Sequence, residues 1–218
     1  MMLIPDAEHD DLHLGERPLI VCDIDEVVLE FVTPFAAFLS HNGHELRANS
    51  FRLHGNIFEL EAGAETPADE VSRLLELFFE SQDEWQTPVV SAADSLARLS
   101  GQADIVFLTA MPPHHRKVRR KLLSSHGFDY PMIATEAPKG PAVLALHGAR
   151  PHPVVFVDDI FVNLQSVRTH VPQTLLLNLM ANEKFRALAP HPGEGVDIVT
   201  DWTHAETLIA AHFDASAR

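Results

Sequence analysis

The chain has 218 residues, 46% of them hydrophobic, and a formal net charge of −15. That length suits one domain with a sizeable insert or two small domains, with ample apolar content for a packed core. The negative charge argues against broad binding to nucleic acid polymers or anionic membranes, and no apolar run reaches the ~18 residues of a membrane span. The opening MMLIPDAEHDDLHLGERP carries acids and histidines where a secretory signal needs a basic start and an apolar stretch, so a cytoplasmic location is expected. The single Cys22 excludes an internal disulfide and reads as a small buried residue.

The first predicted strand, Leu19–Asp23, ends in a loop that holds Asp23 and Asp25. Buried carboxylates need a cation, a donor or a proton, so two acids there are costly as mere packing. Roughly 80 residues then separate Asp23 from the next strand, far more than one crossover helix requires. Within that stretch TPFAAFLSHNG predicts a helix, with Thr33 as cap, Pro34 in the first turn and Gly43 as terminator. In TPADEVSRLLELFFESQDEW, Val71, Leu74, Leu75, Phe78 and Phe79 share one helical face, the pattern of core packing. Residues 33–88 therefore read as a small helical cap, with residues 1–32 and 89–218 forming the core. Prolines mark both junctions, near Val32–Pro34 and Thr87–Val89. Between the helices, Arg52, His54 and Asn56 stand in FRLHGNIFEL as either a substrate-choosing loop or a plain surface turn.

Ser91 with Asp94 resembles a capping box that opens the next helix, and Gly101 follows it. Strand Ile105–Thr109 comes next, then PHHRKVRRKLL, which packs Arg116, Lys117, Arg119, Arg120 and Lys121 onto one helix. That run is either a solvated face or the entrance for an anionic substrate. The fourteen histidines are scattered and only His114 and His115 are adjacent. With no HExxH pair and no cysteine cluster, the sequence carries no zinc signature. Further strands follow at Met132–Ala134, Val154–Asp158, Thr174–Leu177 and Val196–Thr200, with Gly127 and Gly148 ending the helices between them. Thr203 and Glu206 repeat the capping-box pattern before the last helix. Short strands rich in Val, Ile, Leu and Phe alternating with helices indicate an α/β fold with a mostly parallel sheet buried on both faces.

Polar residues recur at the strand ends: Thr109 after the second, Lys139 after the third, and Asp158 and Asp159 with Asn163 after the fourth. Ligands of open α/β sheets bind at that edge. The set matches what phosphoryl transfer requires. A carboxylate nucleophile meets repulsion from phosphate unless cations intervene. Mg²⁺ accepts hard oxygen ligands, which Asp23, Asp159 and Asp158 can supply. Lys139 can neutralise phosphoryl oxygens, Thr109 can donate hydrogen bonds to them, and Asp25 can move the proton.

With these residues in this order, the chain resembles the haloacid dehalogenase-like superfamily of hydrolases. DIDEVV is similar to its first motif, Thr109 to the second, Lys139 to the third and DDIFVN to the fourth. The resemblance implies a Rossmann-like three-layer core and a helical type-one cap. It implies Mg²⁺ held by Asp23, Asp159, Asp158 and the backbone carbonyl of Asp25. It also implies an aspartyl phosphate on Asp23, acid/base work by Asp25, and substrate contacts from Thr109, Ala110, Lys139 and Asn163, with Arg52 added from the insert. The expected partner is a small phosphorylated metabolite such as a nucleotide or sugar phosphate; a homodimer is left open. DIDEVVLEFVTPFAAFL has some likeness to small 5'-nucleotidases. Members usually carry Gly after the second Asp, whereas this chain has Glu26, which either aids metal or substrate contact or slows the chemistry. Retention of Asp25 favours a phosphatase over a dehalogenase. A receiver domain is the wrong order of motifs, since its acidic pair precedes the Thr and Lys. The other alternative is a non-catalytic regulatory protein that keeps the metal and phosphate pocket.

Overall fold

A computed structural model describes residues 8–9, 12–148 and 150–216. Strand β1 (Glu8–His9) precedes β2 (Leu19–Cys22), after which the chain leaves the sheet. The inserted stretch holds α1 (Val32–His41), β3 (His44–Leu46), β4 (Ile57–Glu59), α2 (Ala68–Glu80) and α3 (Gln82–Trp85). The chain returns through α4 (Ala92–Ser100) to β5 (Asp104–Thr109), a 3₁₀ turn (Pro113–His115) and α5 (Arg116–Ser125). Three βα units follow: β6 (Met132–Ala134) with α6 (Lys139–His147), β7 (Val154–Asp158) with α7 (Phe161–His170), and β8 (Leu175–Leu179) with α8 (Glu183–Leu188). Strand β9 (Val196–Val199) and α9 (Trp202–Ser216) close the described chain.

The main sheet runs β1-β6-β5-β2-β7-β8-β9, parallel throughout except for β1, which pairs antiparallel with β6. The six longer strands coincide with the predicted apolar runs to within a residue or two. Their side chains alternate between two apolar layers. Ile20, Cys22, Phe107 and Val157 pack beneath Leu96, Leu122, Trp202 and Ile209 of α4, α5 and α9. Leu19, Val21, Leu108 and Phe156 face Val143, Leu146, Leu164 and Val167 of α6 and α7. This is the three-layer α/β sandwich expected of strands that are apolar on both faces. No helix among the described residues is long and apolar enough to cross a membrane.

The inserted stretch has a core of its own, in which Phe35, Phe38, Leu39, Ile57, Val71, Leu74 and Phe78 are buried. Three phenylalanines of this unit stack or meet edge-on, with ring centroids 5.2–6.2 Å apart for Phe35, Phe38 and Phe78. The unit is not purely helical: β3 and β4 form an antiparallel hairpin, His44 opposite Glu59. These strands are three residues long and mostly half-buried, so no apolar run announced them.

Helix ends differ from the predicted caps in three places. Ser91 sits at φ +65° and its hydroxyl makes no cap to α4. Thr203 lies inside α9; Asp201 caps there instead, accepting from His204 N at 2.9 Å. Glu206 reaches across to α4, where its carboxylate accepts from Ser95 Oγ and Arg98 Nε, each at 2.7 Å. For α1, the cap comes from Glu26 and not from Thr33, which falls within the helix.

Glu26 stands in the loop that leads from the sheet to the insert. It sits at φ +61° in a tight loop where Ile24 O accepts from Val28 N at 2.8 Å and Leu29 N at 2.9 Å. Its buried Oε1 accepts from Phe31 N (2.9 Å) and Val32 N (2.6 Å), while Oε2 accepts from Asn182 N (2.7 Å). One carboxylate thus satisfies free N–H groups at the start of α1 and ties them to the loop after β8. Beside it the two junctions of the insert run together, Glu30 N donating to Thr87 O and Val89 N to Val28 O. The structure settles what stands in the glycine position: a strut, whose side-chain oxygens are occupied by backbone donors. Glu26→Gly relieves the left-handed strain, about 1 kcal/mol, but removes three charge-assisted hydrogen bonds of about 1.5–3 kcal/mol each, taken one at a time. Because the substitution also removes the cost of burying the Glu26 carboxylate, the expected net result is a loss of at least about 2 kcal/mol in urea denaturation. Glycine as stable as the wild type would contradict the strut.

Candidate active site

Parallel strands place their carboxyl ends on one edge, so residues distant in sequence meet there. Asp23 follows β2 directly, Thr109 ends β5, Lys139 opens α6, and Asp158 ends β7 with Asp159 next to it. Lys139 Nζ is the centre of this group, 2.7 Å from Asp23 Oδ1 and 2.7 Å from Asp158 Oδ2. Asp158 is fixed further by Ile160 N at 2.8 Å and by the Asn163 amide at 3.1 and 3.2 Å. Asn163 therefore serves Asp158; its amide is directed there and not towards a ligand. Asn178 Nδ2 donates to the carbonyls of Asp158 and Asp159, at 3.1 and 2.9 Å, and steadies the loop that carries both acids.

The electrostatics are unbalanced. Asp23, Asp158 and Asp159 bring donor oxygens within 4.8 Å of one another, with one ammonium among them. Burial raises Asp23 to about 7; Lys139 opposes the shift, and Asp158 and Asp25 add to it. Asp159 is driven well above the ordinary carboxylate range, first by burial and then by Asp158 and Asp23. Burial pulls Lys139 down, but Asp158 and Asp23 outweigh it and hold the ammonium firmly charged. Surplus negative charge on buried hard oxygens is what a divalent cation of the Mg²⁺ type neutralises, so the donor set fits one. Cys22, fully buried beneath Asp23, has its thiol pushed up by desolvation first and by Asp23 next, and stays an inert core residue.

A cavity of about 220 Å³ opens on this edge, bounded by Asp23, Asp25, Asp159, Ala110 and Met111 from the core and by Phe31 and Phe79 from the insert side. The Thr109 hydroxyl is buried behind it and accepts from Met111 N at 3.4 Å. Arg52 is not in this space. It lines a neighbouring cavity of about 220 Å³ with Phe51, Leu53, Phe185, Glu26 and Asp159. Asn56, weighed with Arg52 as a ligand contact, instead shapes the loop: its amide donates to Ser50 O at 2.9 Å and Arg52 O at 2.7 Å.

Asp25 is placed differently from its neighbours. Its carboxylate is gripped by the guanidinium of Arg119, at 3.0 and 3.1 Å, and by Gln86 Nε2 at 2.8 Å. Arg119 is fully buried, and its Nε donates to Gln82 Oε1. This corrects both readings of the basic run at Arg119 alone, since Lys117 and Lys121 are exposed as a solvated face requires. Arg119 is neither solvated nor at an entrance, since it holds Asp25 from beneath. Arg120 binds the carbonyls of Tyr130 and Phe128, and Lys121 pairs with Asp83 at 2.6 Å. The roles of Gln82 and Gln86 and the burial of Arg119 are not legible in the sequence, because the partner that gives them meaning, Asp25, lies 94 residues from Arg119.

No family model matches this sequence, and no curated protein matches it. Solved structures do. A phosphonoacetaldehyde hydrolase-like protein from Oleispira antarctica superposes with a TM-score of 0.60 at 12% identity, covering 100% of this chain and 99% of that one. A haloacid dehalogenase-like family hydrolase from Deinococcus radiodurans, solved with bound phosphate and sodium, gives 0.55 at 14% identity over 89% of this chain and 95% of that one. D,D-heptose 1,7-bisphosphate phosphatase from Burkholderia thailandensis gives 0.51 at 15% identity over 89% and 99%. The strand order, the insert after the first acidic strand end and these superpositions agree: the chain has the fold of the haloacid dehalogenase-like hydrolases.

Proposed function

We propose that this protein is a Mg²⁺-dependent phosphatase that hydrolyses a small phosphomonoester, such as a nucleotide or sugar phosphate, through an aspartyl phosphate on Asp23. The observation that carries the proposal is the meeting of Asp23, Asp158, Asp159 and Lys139 at one sheet edge beside an open cavity. Two structural neighbours add support, one being a phosphatase and the other holding phosphate. Asp23, Asp159, Asp158 and the Asp25 carbonyl are the proposed ligands of Mg²⁺, which when bound lowers the repulsion between an anionic nucleophile and an anionic phosphoryl group.

The chain's own residues account for the remaining steps. An Asp23 oxygen attacks phosphorus in line while the ester P–O bond breaks. Asp25 gives its proton to the departing oxygen, then recovers one from the water that attacks the aspartyl phosphate. That second attack releases inorganic phosphate and regenerates the Asp23 carboxylate. Lys139 neutralises phosphoryl oxygens while restraining Asp23, and Thr109 with the Ala110 backbone donates hydrogen bonds to them. Residues 33–88 act as the cap: Phe79 already forms a wall of the cavity, and closure there excludes bulk water. Arg52 lines the adjoining cavity, which supports a contact with the part of the substrate that distinguishes one phosphomonoester from another.

A second reading is a non-catalytic phosphate-binding protein on the same frame, favoured by the grip of Arg119 and Gln86 on Asp25. Turnover of an aryl phosphate separates the two. Under the first reading chelation abolishes hydrolysis, Mg²⁺ restores it, and Asp23→Asn lowers kcat by at least about a thousandfold with the fold intact. Full activity in excess chelator, or in the Asp23→Asn protein, contradicts it.

Metal binding also has an expected pH dependence. Asp23 titrates near 7 in the folded chain against 3.8 as an ordinary aspartate, so its contribution to stability falls as pH rises between those values. A cation that requires the ionised form reverses that loss. The increase in melting temperature on adding Mg²⁺ should therefore be small at pH 5 and grow through pH 7 to 8. An increase that is independent of pH, or largest in acid, contradicts the assignment of Asp23 as a ligand.

A further inference from the structure

Away from the strand-end acids, three metal-ligating side chains converge where the insert meets the core. Glu76 lies on α2, and His114 and His115 lie on the 3₁₀ turn after β5. One donor atom from each stands within 4.8 Å of the others. Both imidazoles aim Nε2 at the same oxygen: His114 Nε2 hydrogen-bonds Glu76 Oε1, and His115 Nε2 lies 3.0 Å from it. The second contact is not a hydrogen bond. His115 is only 4% exposed, and its Nε2 is buried without a hydrogen-bond partner. Such an orphaned ring nitrogen costs about 1–3 kcal/mol unless something else satisfies it. Burial, ahead of the opposing charge of Glu76, holds the His115 pKa below the ordinary imidazole value. Glu80, one turn along the same face of α2, adds its negative field at His115.

We propose that Glu76, His114 and His115 form a binding site for a divalent transition-metal ion of the zinc class. Two imidazoles with one carboxylate suit Zn²⁺ and related ions and do not suit Mg²⁺, which prefers an all-oxygen shell. The donors already converge, and opening the His114–Glu76 contact by about an ångström, which two solvent-exposed side chains can do by turning, lets an ion sit about 2.0–2.2 Å from each. His114 and Glu76 are open to solvent, their side chains 63% and 42% exposed, which provides the route of entry and the position for a water ligand. The ion ties α2 of the insert to the turn that follows the second central strand. Phe79, three residues beyond Glu76, lines the cavity beside Asp23, and its ring lies 5.8 Å from that of His115. An ion at this place therefore fixes the wall of the cavity, and it shares no ligand with the Asp23 edge.

The test is calorimetric titration of the untagged full-length protein with Zn²⁺ in excess Mg²⁺, alongside Asp159→Asn, Glu76→Gln and His114→Ala. Glu76 and His114 are surface side chains, and circular dichroism checks that each variant is folded. The expected result is one Zn²⁺ bound by the wild type and by Asp159→Asn, with affinity at least about tenfold weaker in Glu76→Gln and in His114→Ala. Co²⁺ used in place of Zn²⁺ should give a visible absorption band in the first two proteins that is lost in the other two. Absence of Zn²⁺ binding to the wild type, unchanged binding in both Glu76→Gln and His114→Ala, or loss of binding in Asp159→Asn alone overturns the site. None of these readouts involves phosphatase turnover, so the outcome stands apart from the proposed reaction.

Discussion

Everything at the strand-end edge depends on one buried contact, the Lys139 ammonium wedged between the carboxylates of Asp23 and Asp158. Three acids cannot be desolvated together without strong repulsion, and a single lysine offsets only part of it. The parallel sheet makes the arrangement possible, because β2 and β7 are direct neighbours and bring both acids to one edge in register. The start of α6 brings the lysine. Burial first, and the residual negative charge after it, leave Asp23 and Asp159 harder to ionise than free aspartates, a state that a cation relieves. The fold thus stores an electrostatic cost where the proposed chemistry calls for a metal.

A second layer of interactions connects that edge to the insert. Glu26 anchors the start of α1 and the loop after β8, and Gln86 and Arg119 anchor Asp25 from the insert and from α5. Asp25 and Glu26, which stand between β2 and the insert, are thereby held from both sides of the junction. A shift of the insert relative to the core is felt at the Asp25 carboxylate through Gln86, which also donates to Glu30 O at 2.9 Å.

The sheet could be read from the sequence because its strands are short apolar runs buried on both faces, and the candidate site because four polar residues end them in order. The two longer helices between Asp23 and Ile105 were also legible, from the patterns around Phe38 and Phe78. The rest was hidden for physical reasons. The β3–β4 hairpin is too short and too half-buried to carry a period-two pattern. Arg119 stands in a run of exposed-looking cations, and its long-range pairing with Asp25 and Gln82 makes its burial tolerable. The role of Glu26 required a backbone angle and the position of Asn182, neither of which local sequence specifies. Likewise the adjacent histidines had no third ligand until folding brought Glu76 to them.

The central claim is that phosphorus is bonded to Asp23 during turnover, and a crystal structure with Mg²⁺ and beryllium fluoride tests it most directly. Beryllium fluoride imitates a phosphoryl group on a carboxylate. The account predicts it attached to Asp23, with Lys139 and Thr109 against its fluorines and the metal between it and Asp159. Attachment to Asp25, Asp158 or Asp159, or binding with no carboxylate bond at all, contradicts the account.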